Sequence, residues 1–457
     1  MLLNPDHFAR PAVFDSRTRQ WCTYRELAEE VGRIAGYLSG PRRLAFCFCR
    51  NDAATVANYL ACLECRHPVA LLDPAMALEG KKDLLALYEP ELILASADDP
   101  CVPADYPVSI CGMSHIWRAA EPPGCPLNPD LAVLLSTSGT TGSPRFVRLS
   151  AQNIRANAES IVAALGIAAE DRAIASLPFH YSYGLSVLNT HLLAGASLVT
   201  TTDGIVSERF WTDVRERNCT SFAGVPYSYQ VLDRLRLDTL NVPELRTLTQ
   251  AGGKLDVKLI SRFHELMQSR GGRFFVMYGQ TEATARIAIL PSSALPGKLG
   301  SVGLPIPGGR FEIRADELVY RGPNVMMGYA TCRADLEQGD KLHGVLETGD
   351  LCRIDEEGFL FVVGRMKRDA KVFGLRINLD EVEAMLKTHG PTAVISAPDK
   401  LLVFCEYGDD VFLQSLQLQV AARLNINYRA IEFRRLDALP VKQNGKIDYT
   451  ALQGMRR

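Results

Sequence analysis

The sequence predicts an α/β protein with a large N-terminal α/β domain and a small α+β C-terminal domain. Short apolar runs alternate with helix-period segments through the first three hundred or so residues, which favours crossover units and largely parallel sheets. From about Gly300 the pattern changes to β segments that are interrupted by Gly and Pro, typical of hairpins or a small β-barrel appended to the core. Two helical stripes with short apolar runs around them close the chain.

Composition and charge exclude several classes of protein. The chain has 457 residues, enough for about three packing units at roughly 150 residues each. With 47% hydrophobic and 22% charged residues it is neither disordered nor fibrous. The formal net charge of −2 argues against nonspecific binding of nucleic acid or of an anionic membrane. No apolar run spans a bilayer and the N-terminus does not resemble a secretory signal, so we expect a cytoplasmic protein without a membrane span.

Individual elements follow from the pattern of apolar residues. One helix is predicted where Ile154, Ala158, Ile161 and Leu165 recur at helical spacing. Buried strands are predicted for the continuous apolar runs 44–49, 131–135, 173–177, 197–201, 221–225, 245–251 and 273–277.

The C-terminal unit is predicted from two helical stripes and three strands. The first stripe is Leu379, Val382 and Leu386, and the second is Phe412, Leu416, Val420 and Leu424. The strands are 392–397, 401–405 and 431–433. We place the boundary where the apolar FLFVVG gives way to the charged RMKRD, which divides the chain into domains 1–366 and 367–457.

Twelve cysteines are scattered over the chain without an export signal, so a disulfide framework is disfavoured. Cys47, Cys49, Cys62 and Cys65 have C-x-C and C-x-x-C spacings, which allow a zinc site. They also lie in apolar strand-like and helix-like runs, where cysteine packs as a small hydrophobe. We favour core thiols over zinc ligands, because four-ligand geometry is demanding.

The most informative segment is LAVLLSTSGTTGSPR, residues 131–145. An apolar strand leads directly into Thr137, Ser138, Gly139, Thr140, Thr141 and Gly142. Such a run is either a flexible Ser/Gly loop or a loop whose N–H groups and hydroxyls hold phosphate oxygens. Its position after a buried strand, with Arg145 at its end, favours the phosphate loop. The chain contains no G-x-x-x-x-G-K-[ST], which argues strongly against a P-loop NTPase or kinase.

This loop resembles the signature loop of the adenylate-forming superfamily, which includes acyl-CoA synthetases, aryl-acid ligases, luciferases and the adenylation domains of peptide synthetases. Further motifs of the family follow in the same order: LPFHYSYGLS (177–186), YGQTEA (278–283), SVGLPIPG (301–308), ETGD (347–350), GRMKRDAKVFGLRINLDEVE (364–383) and LPVKQNGKID (439–448). The resemblance implies an N-terminal ATP- and acid-binding domain followed by a mobile C-terminal lid.

The resemblance also implies roles for single residues. The loop from Thr137 to Gly142 holds the β- and γ-phosphates of ATP. Glu282 is the Mg²⁺ ligand, and Thr281 contacts the α-phosphate. Asp350 accepts both ribose hydroxyls, and Arg365 joins it at the ribose or the phosphate. The remaining nucleotide-binding residues lie close to the adenine: Gly252, Gly253, Tyr278 and Gly279.

Three residues of the C-terminal part receive family roles. Lys446, in QNGKID, enters the site when the lid closes and bridges the carboxylate and the α-phosphate. Lys367 is the hinge about which the lid rotates. Gly374 lies where the thiol enters, since a side chain there would obstruct a pantetheine arm.

The motif LPFHYSYG bears on the substrate. Amino-acid-activating domains generally carry an aspartate here that pairs with the substrate ammonium, whereas this chain has Phe179, His180 and Tyr181. An unpaired buried ammonium is penalised, so an α-amino acid is disfavoured. His180 is a candidate catalytic and substrate-binding residue that either gates the site or contacts the carboxylate, and the alternative is a structural histidine. The other candidate pocket residues are apolar to mildly polar, which favours a fatty or aryl acid: Tyr183, Gly184, Val225, Tyr227 and Tyr229.

The predicted function is ATP- and Mg²⁺-dependent activation of a carboxylic acid, with a fatty or aryl acid favoured, to an acyl adenylate and transfer of the acyl group to coenzyme A. Loading of the phosphopantetheine of an acyl carrier protein and amide ligation to an amine are the alternatives, and a silent nucleotide-binding scaffold is a remote one. Arg145 and Phe146 replace the Lys and Gly that are usual after the phosphate loop. Arginine keeps the cation, whereas the sequence alone does not explain Phe146.

Overall fold

The computed structural model of the chain describes residues 3–95, 108–111, 114–118, 126–136, 145–365, 369–372, 375–398, 400–424, 426–442 and 445–455. The chain divides into two compact units. The first comprises residues 1–139, 143–310 and 320–346, and the second comprises residues 140–142, 311–319 and 347–457.

Eleven α-helices are found in the described residues, and several begin at the polar residues that cap helix N-termini. Thr23 and Glu26 form a capping box at the start of the first helix, with Glu26 N donating to Thr23 Oγ1 (3.2 Å). Ser150 caps the fourth helix, which ends at Gly166 in the left-handed conformation. The helices are α1 Tyr24–Leu38, α2 Ala53–Glu64, α3 Leu78–Tyr88, α4 Ala151–Leu165, α5 Ser182–Leu193, α6 Glu208–Glu216, α7 Pro226–Arg234, α8 Val257–Ser269, α9 Leu379–Leu386, α10 Asp410–Leu424 and α11 Tyr449–Gly454.

The strands of the described residues form five sheets. Those before residue 331 are β1 Pro11–Asp15, β2 Gln20–Thr23, β3 Ala45–Phe48, β4 Val69–Leu72, β5 Leu92–Ala95, β6 Val108–Cys111, β7 Ser114–Arg118, β8 Leu131–Ser136, β9 Phe146–Ser150, β10 Arg172–Ala175, β11 Ser197–Thr200, β12 Ser221–Gly224, β13 Thr247–Gln250, β14 Arg273–Tyr278, β15 Ala288–Leu290, β16 Leu304–Pro305, β17 Arg310–Arg314, β18 Glu317–Arg321 and β19 Gly328–Ala330. Those after it are β20 Val345–Ile354, β21 Leu360–Arg365, β22 Asp369–Val372, β23 Leu375–Asn378, β24 Thr392–Ala397, β25 Lys400–Cys405 and β26 Ile431–Arg435.

Two large mixed sheets build the first unit. The nine-stranded sheet has the order β16-β15-β14-β13-β12-β10-β11-β1-β2, and its strands from β14 to β1 run parallel. The eight-stranded sheet has the order β19-β9-β8-β4-β3-β5-β7-β6, with β5, β3, β4 and β8 parallel. One apolar cluster contains residues of both sheets together with α1, α2 and α5, so the sheets and helices share a core.

The second unit contains a three-stranded sheet that is covered on both faces. Val394 of β24 packs in a cluster with Val382 of α9 and Leu416 of α10. The neighbouring Ile395 points to the other face, where Leu452 of α11 packs. Most residues of the four-stranded sheet β17-β18-β20-β21 also belong to this unit.

The predicted fold class is confirmed. Each of the seven predicted strands is present with its bounds shifted by at most a few residues, and α4, α9 and α10 contain the predicted helical stripes. The β segments interrupted by Gly and Pro, expected as hairpins or a small β-barrel, form the four-stranded half-barrel sheet β17-β18-β20-β21. The predicted boundary at residue 367 falls among residues 366–368, which lie outside the described residues, and it stays a prediction.

Cys47, Cys49 and Cys62 are free thiols packed in the core of the first unit. Burial raises the pKa of both thiols, Cys49 and Cys62, well above the ordinary pKa of a cysteine. Among the described residues, no helix combines the length and apolar character that a bilayer crossing requires.

Candidate active site

Four parallel strands bring most of the predicted residues of the first unit to one edge of a sheet. The strands β14, β13, β12 and β10 are neighbours, with Gly224 in register with Gln250 and Gln250 in register with Val276. Ligands of open α/β sheets bind at the carboxyl ends of the strands. The residues that follow these ends are His180 after β10, Val225 after β12, Gly252 and Gly253 after β13, and Gly279 after β14.

The loop between β10 and α5 is held by Asn51, a residue that the sequence did not single out. Its side-chain amide donates to the carbonyl oxygens of Ala175 and Leu177 (both 2.9 Å) and accepts from the N–H of Phe179 (3.1 Å). These three bonds fix the backbone that leads into His180.

His180 is a neutral side chain at physiological pH. Burial lowers its pKa below the ordinary 6.5, and the charge of Asp73 opposes this shift. Its Nδ1 is buried and has no hydrogen-bond partner among the described residues. A neutral imidazole with an unused ring nitrogen is suited to contacting a substrate oxygen as a hydrogen-bond donor.

The YGQTEA segment is fixed by close backbone approaches. A Cβ at Gly279 would overlap the carbonyl oxygen of Ala285, so the turn after β14 requires glycine. Thr281 Oγ1 donates to Ser182 Oγ in the first turn of α5 (3.2 Å). The predicted nucleotide loop is thereby attached to the helix that follows His180.

Gly252 and Gly253 lie at the end of β13. Gly252 has a φ of +85°, a conformation that favours glycine, and the Gly253 carbonyl accepts from Gln250 Nε2 (2.8 Å). Tyr278 ends β14, opposite Ala288 of β15. These residues surround the strand ends where the sequence predicts adenine.

Glu282 and Arg145 are brought to the same aromatic ring. The Tyr329 hydroxyl donates to Glu282 Oε1 (2.8 Å), and the Arg145 guanidinium carbon lies 4.2 Å from the centre of the Tyr329 ring. Burial, followed by the charge of Glu282, raises the pKa of Tyr329, so it remains a hydrogen-bond donor. The predicted metal ligand and the cation at the end of the phosphate loop are therefore joined by one tyrosine.

Tyr329 is positioned by the strand pair β9–β19, where it lies in register with Val147. Arg148, which is completely buried, donates to the carbonyl oxygens of Tyr329 (3.2 Å), Met327 (3.1 Å) and Gly339 (3.2 Å), and also to that of Gln338. Phe146, two residues before Arg148 on β9, packs against Tyr88, with ring centres 4.8 Å apart. Phe146 is thus a core residue of β9, which explains why glycine is replaced at this position.

The predicted acid-binding residues do not all face the same space. Tyr183 is buried and its hydroxyl donates to the Thr249 carbonyl (2.9 Å), which also accepts from Tyr229 (2.8 Å). Burial raises the pKa of Tyr183 to about 12. Val225 is buried, whereas the Tyr227 side chain is 47% exposed. Gly184 lies in the first turn of α5, where a Cβ would overlap the carbonyl of Pro178.

Tyr183 lines a cavity of about 40 Å³ in the first unit, together with Arg286. The Arg286 guanidinium carbon lies 4.2 Å from the centre of the Tyr183 ring. Arg286 is only 2% exposed, and burial lowers its pKa. No sequence motif singled out Arg286.

In the second unit, Asp350 lies on β20 directly opposite Arg365 of β21 in the antiparallel register. Asp350 is 1% exposed. Its N–H donates to Thr348 Oγ1 (3.2 Å), and the adjacent Gly349 N–H donates to Glu317 Oε1 (2.8 Å). The structure brings the two predicted ribose-binding positions together along the sheet.

Lys446 lies in a turn of the second unit that is closed by a bridge between Val441 and Ile447. Its carbonyl oxygen accepts from the N–H of Lys442 (2.8 Å). Several predicted residues lie outside the described part of the chain: Thr137, Ser138, Gly139, Thr140, Thr141, Gly142, Lys367 and Gly374.

Comparisons with known proteins agree with this geometry. A family model described as AMP-binding enzyme matches residues 5–330. The oxalate–CoA ligase of Arabidopsis thaliana is 28% identical over 79% of this chain and 76% of that protein, and the feruloyl-CoA synthase of an Amycolatopsis species is 27% identical over 93% and 92%. The o-succinylbenzoate coenzyme A synthetase of Bacillus subtilis, solved in complex with ATP and magnesium ion, has the same fold, with a TM-score of 0.74, 23% identity and coverage of 96% and 95%.

The fold and the residues at the strand ends define an enzyme of the adenylate-forming class. Because the family match covers most of the chain, the protein belongs to the AMP-binding enzyme family.

Proposed function

We propose that this protein activates a carboxylic acid with ATP, forming an acyl adenylate and pyrophosphate, and then transfers the acyl group to the thiol of coenzyme A. The observation that carries the proposal is that Tyr329 joins Glu282, through its hydroxyl, and Arg145, through its ring, beside the strand ends of the large sheet. The names of the relatives, ligases and synthetases that use coenzyme A, support it.

The first half-reaction joins two anions. A carboxylate oxygen attacks the α-phosphorus, and the bond to the pyrophosphate oxygen breaks. Donors and cations must offset the repulsion between carboxylate and triphosphate. In the proposal, Arg145 faces the phosphates, Thr281 donates to the α-phosphate, and the neutral His180 donates to the attacking acid.

The residues fit Mg²⁺ that arrives with the nucleotide. In the described part of the chain, no three His, Cys, Asp or Glu side chains are grouped as metal ligands. Mg²⁺ is commonly held by one or two carboxylates plus substrate phosphates, and it would neutralise phosphate charge here. Glu282 is the carboxylate that would hold it, in an orientation fixed by Tyr329.

The second unit supplies the remaining proposed groups. Asp350 would accept both ribose hydroxyls, with Arg365 beside it. Lys446 would stabilise the charge that develops during adenylation, and Lys367 and Gly374 would serve the thiol step through rotation about the hinge. The thiolate then attacks the acyl carbon, and AMP leaves with the bridging oxygen.

The acid and the acceptor belong to the same proposal. A fatty or aryl acid is the class that the sequence favours, and an α-amino acid is disfavoured. Coenzyme A is the proposed acceptor, ahead of a carrier protein or an amine. The location in the cytoplasm, expected from the sequence, remains a prediction.

The test is ATP–pyrophosphate exchange over a panel of fatty, aryl, dicarboxylic and amino acids, followed by mass detection of the coenzyme A thioester. We expect acid-dependent exchange and a thioester with the same acid. Exchange without a thioester, together with an amide in the presence of amines, would favour the amine ligase. No exchange with any acid would contradict acid activation and favour the scaffold.

A further inference from the structure

Arg286 is a buried cation whose donors are largely unused. A guanidinium has five N–H donors. In the described residues, Arg286 donates from one terminal nitrogen to Ser186 Oγ (3.2 Å) and makes a long contact from the other to the Ala285 carbonyl (3.5 Å), while its Nε has no partner. No carboxylate of the described residues forms an ion pair with it.

Two other buried arginines of the first unit have hydrogen-bond partners that compensate their positive charge. Arg333 is held by both oxygens of Glu91 (2.6 and 3.0 Å), and Arg148 donates to four carbonyl oxygens. Among the described residues, Arg286 has no carboxylate partner and, besides the Ser186 hydroxyl and the long contact to the Ala285 carbonyl, it lies only against the face of the Tyr183 ring. A buried charge without a counterion is costly, so its presence needs an explanation outside packing.

Arg286 lies where it can contact a bound acid. It lines the cavity beside Tyr183 and Ser186, and it follows YGQTEA by three residues. Thr281 contacts Ser182 and Arg286 contacts Ser186, so the two contacts lie one helical turn apart on α5, about 6 Å. An acid whose reacting carboxylate lies near Thr281 would extend toward Arg286.

We propose that Arg286 binds a second anionic group of the acid, so that the substrate is a dicarboxylic acid in which few atoms separate the charged groups. The proposal rests on the proposed function and deepens it. A carboxylate matches the guanidinium fork in a bidentate pair, which supplies both the missing charge and the missing acceptors. The cavity of about 40 Å³ has room for roughly three water molecules, which suits a small group rather than a long chain.

A second anionic group on the substrate restricts the fatty or aryl acids that the sequence favours to those that carry two charges. A fatty acid would place methylene groups against an uncompensated guanidinium, whereas an aryl acid remains compatible when it carries a second carboxylate. Specificity would arise because an acid without the second charge leaves Arg286 desolvated and unpaired.

The test compares each of malonate, succinate and glutarate with its monomethyl ester, which has a similar shape but lacks one charge. Two readouts are used on the full chain: ATP–pyrophosphate exchange and calorimetric binding of the acid. We expect at least one diacid to exceed its ester by about 10²-fold or more in kcat/KM and in affinity. Arg286→Met should reduce this ratio to near one, and Arg286→Lys should retain part of it.

Arg333→Met is the matched control, because it also removes a buried arginine from the first unit but lies in an ion pair with Glu91. It should lower Tm and leave the diacid-to-ester ratio unchanged. Arg286→Met should keep or raise Tm, since it removes an unpaired charge. If Arg286→Met does not fold, the diacid-to-ester ratio is compared between Arg286→Lys and the wild type instead.

A diacid-to-ester ratio near one in the wild type would overturn the inference, and so would a high ratio that persists in Arg286→Met. In either case, exchange with other acids would still uphold the proposed function. Diacid binding that depends on Arg286 without any exchange would uphold the anion site and overturn the proposed reaction.

Discussion

Replacing Tyr329 with phenylalanine removes one hydroxyl and leaves the ring in place. That hydroxyl donates to Glu282 Oε1 (2.8 Å), while the ring stacks under Arg145 and the backbone is held by Arg148. The substitution therefore changes the orientation of the Glu282 carboxylate and little else.

The expected loss follows from the type of bond. A hydrogen bond to a charged group contributes about 1.5–3 kcal/mol. Partners that orient a metal ligand typically contribute about 10–100-fold to metal affinity or activity, which is the same range. We expect Tyr329→Phe to raise the Mg²⁺ concentration needed for half-maximal pyrophosphate exchange about tenfold or more.

The assay is exchange as a function of free Mg²⁺ at saturating ATP and acid. Tyr88→Phe is the matched control, since Tyr88 also donates a buried hydroxyl, to the carbonyl of Ala330 (2.9 Å) next to Tyr329. The control should lower Tm without changing the Mg²⁺ dependence. In a Glu282→Gln background, Tyr329→Phe should cause little further loss, because both act through one carboxylate.

An unchanged Mg²⁺ dependence in Tyr329→Phe, with a shifted one in Glu282→Gln, would refute the positioning role of Tyr329. Equal shifts in Tyr329→Phe and Tyr88→Phe would mean that general loosening of this region explains the effect.

Three further predictions concern other parts of the chain. Lys446→Ala should slow adenylation by about 10²–10³-fold while thioester formation from supplied adenylate is retained, and equal loss in single-turnover assays would contradict this. Lys367→Pro should impair thioester transfer more than adenylation, and unchanged overall turnover would remove the hinge. Burial lowers the pKa of His67 and His191 below 6.5, so the unfolded chain takes up protons first and stability should fall as pH drops below 6.5. A Tm that is equal at pH 7.5 and pH 5.5, or a decline that His191→Asn does not reduce, would contradict that assignment.

The strand framework was predictable because its strands are buried on both faces. Such strands are continuous apolar runs, and β3, β8 and β13 were found from that pattern alone. Strand β9 was harder to find, because the charged residue Arg148 interrupts its run of apolar residues. That arginine is buried through carbonyl contacts 179 to 191 residues away, which no local pattern reveals.

The site was predictable where a motif carries it, and not where chemistry depends on distant partners. Tyr329 contacts Glu282 across 47 residues, and Asn51 reaches the His180 loop across more than a hundred. Arg286 was overlooked because arginine is usually exposed, and its burial is visible only in the structure. Tyr227 shows the limit of motif reasoning within one helix, since Tyr229 two residues later faces the core instead.

In the proposed reaction, an oxygen atom of the acid attacks the α-phosphorus of ATP. Incubation with an acid labelled with ¹⁸O in its carboxylate, with ATP and coenzyme A, tests it directly by mass spectrometry of the products. We expect ¹⁸O in AMP and none in pyrophosphate, with the thioester retaining the other carboxylate oxygen. Label in a released phosphate, with ADP as the nucleotide product, would contradict it.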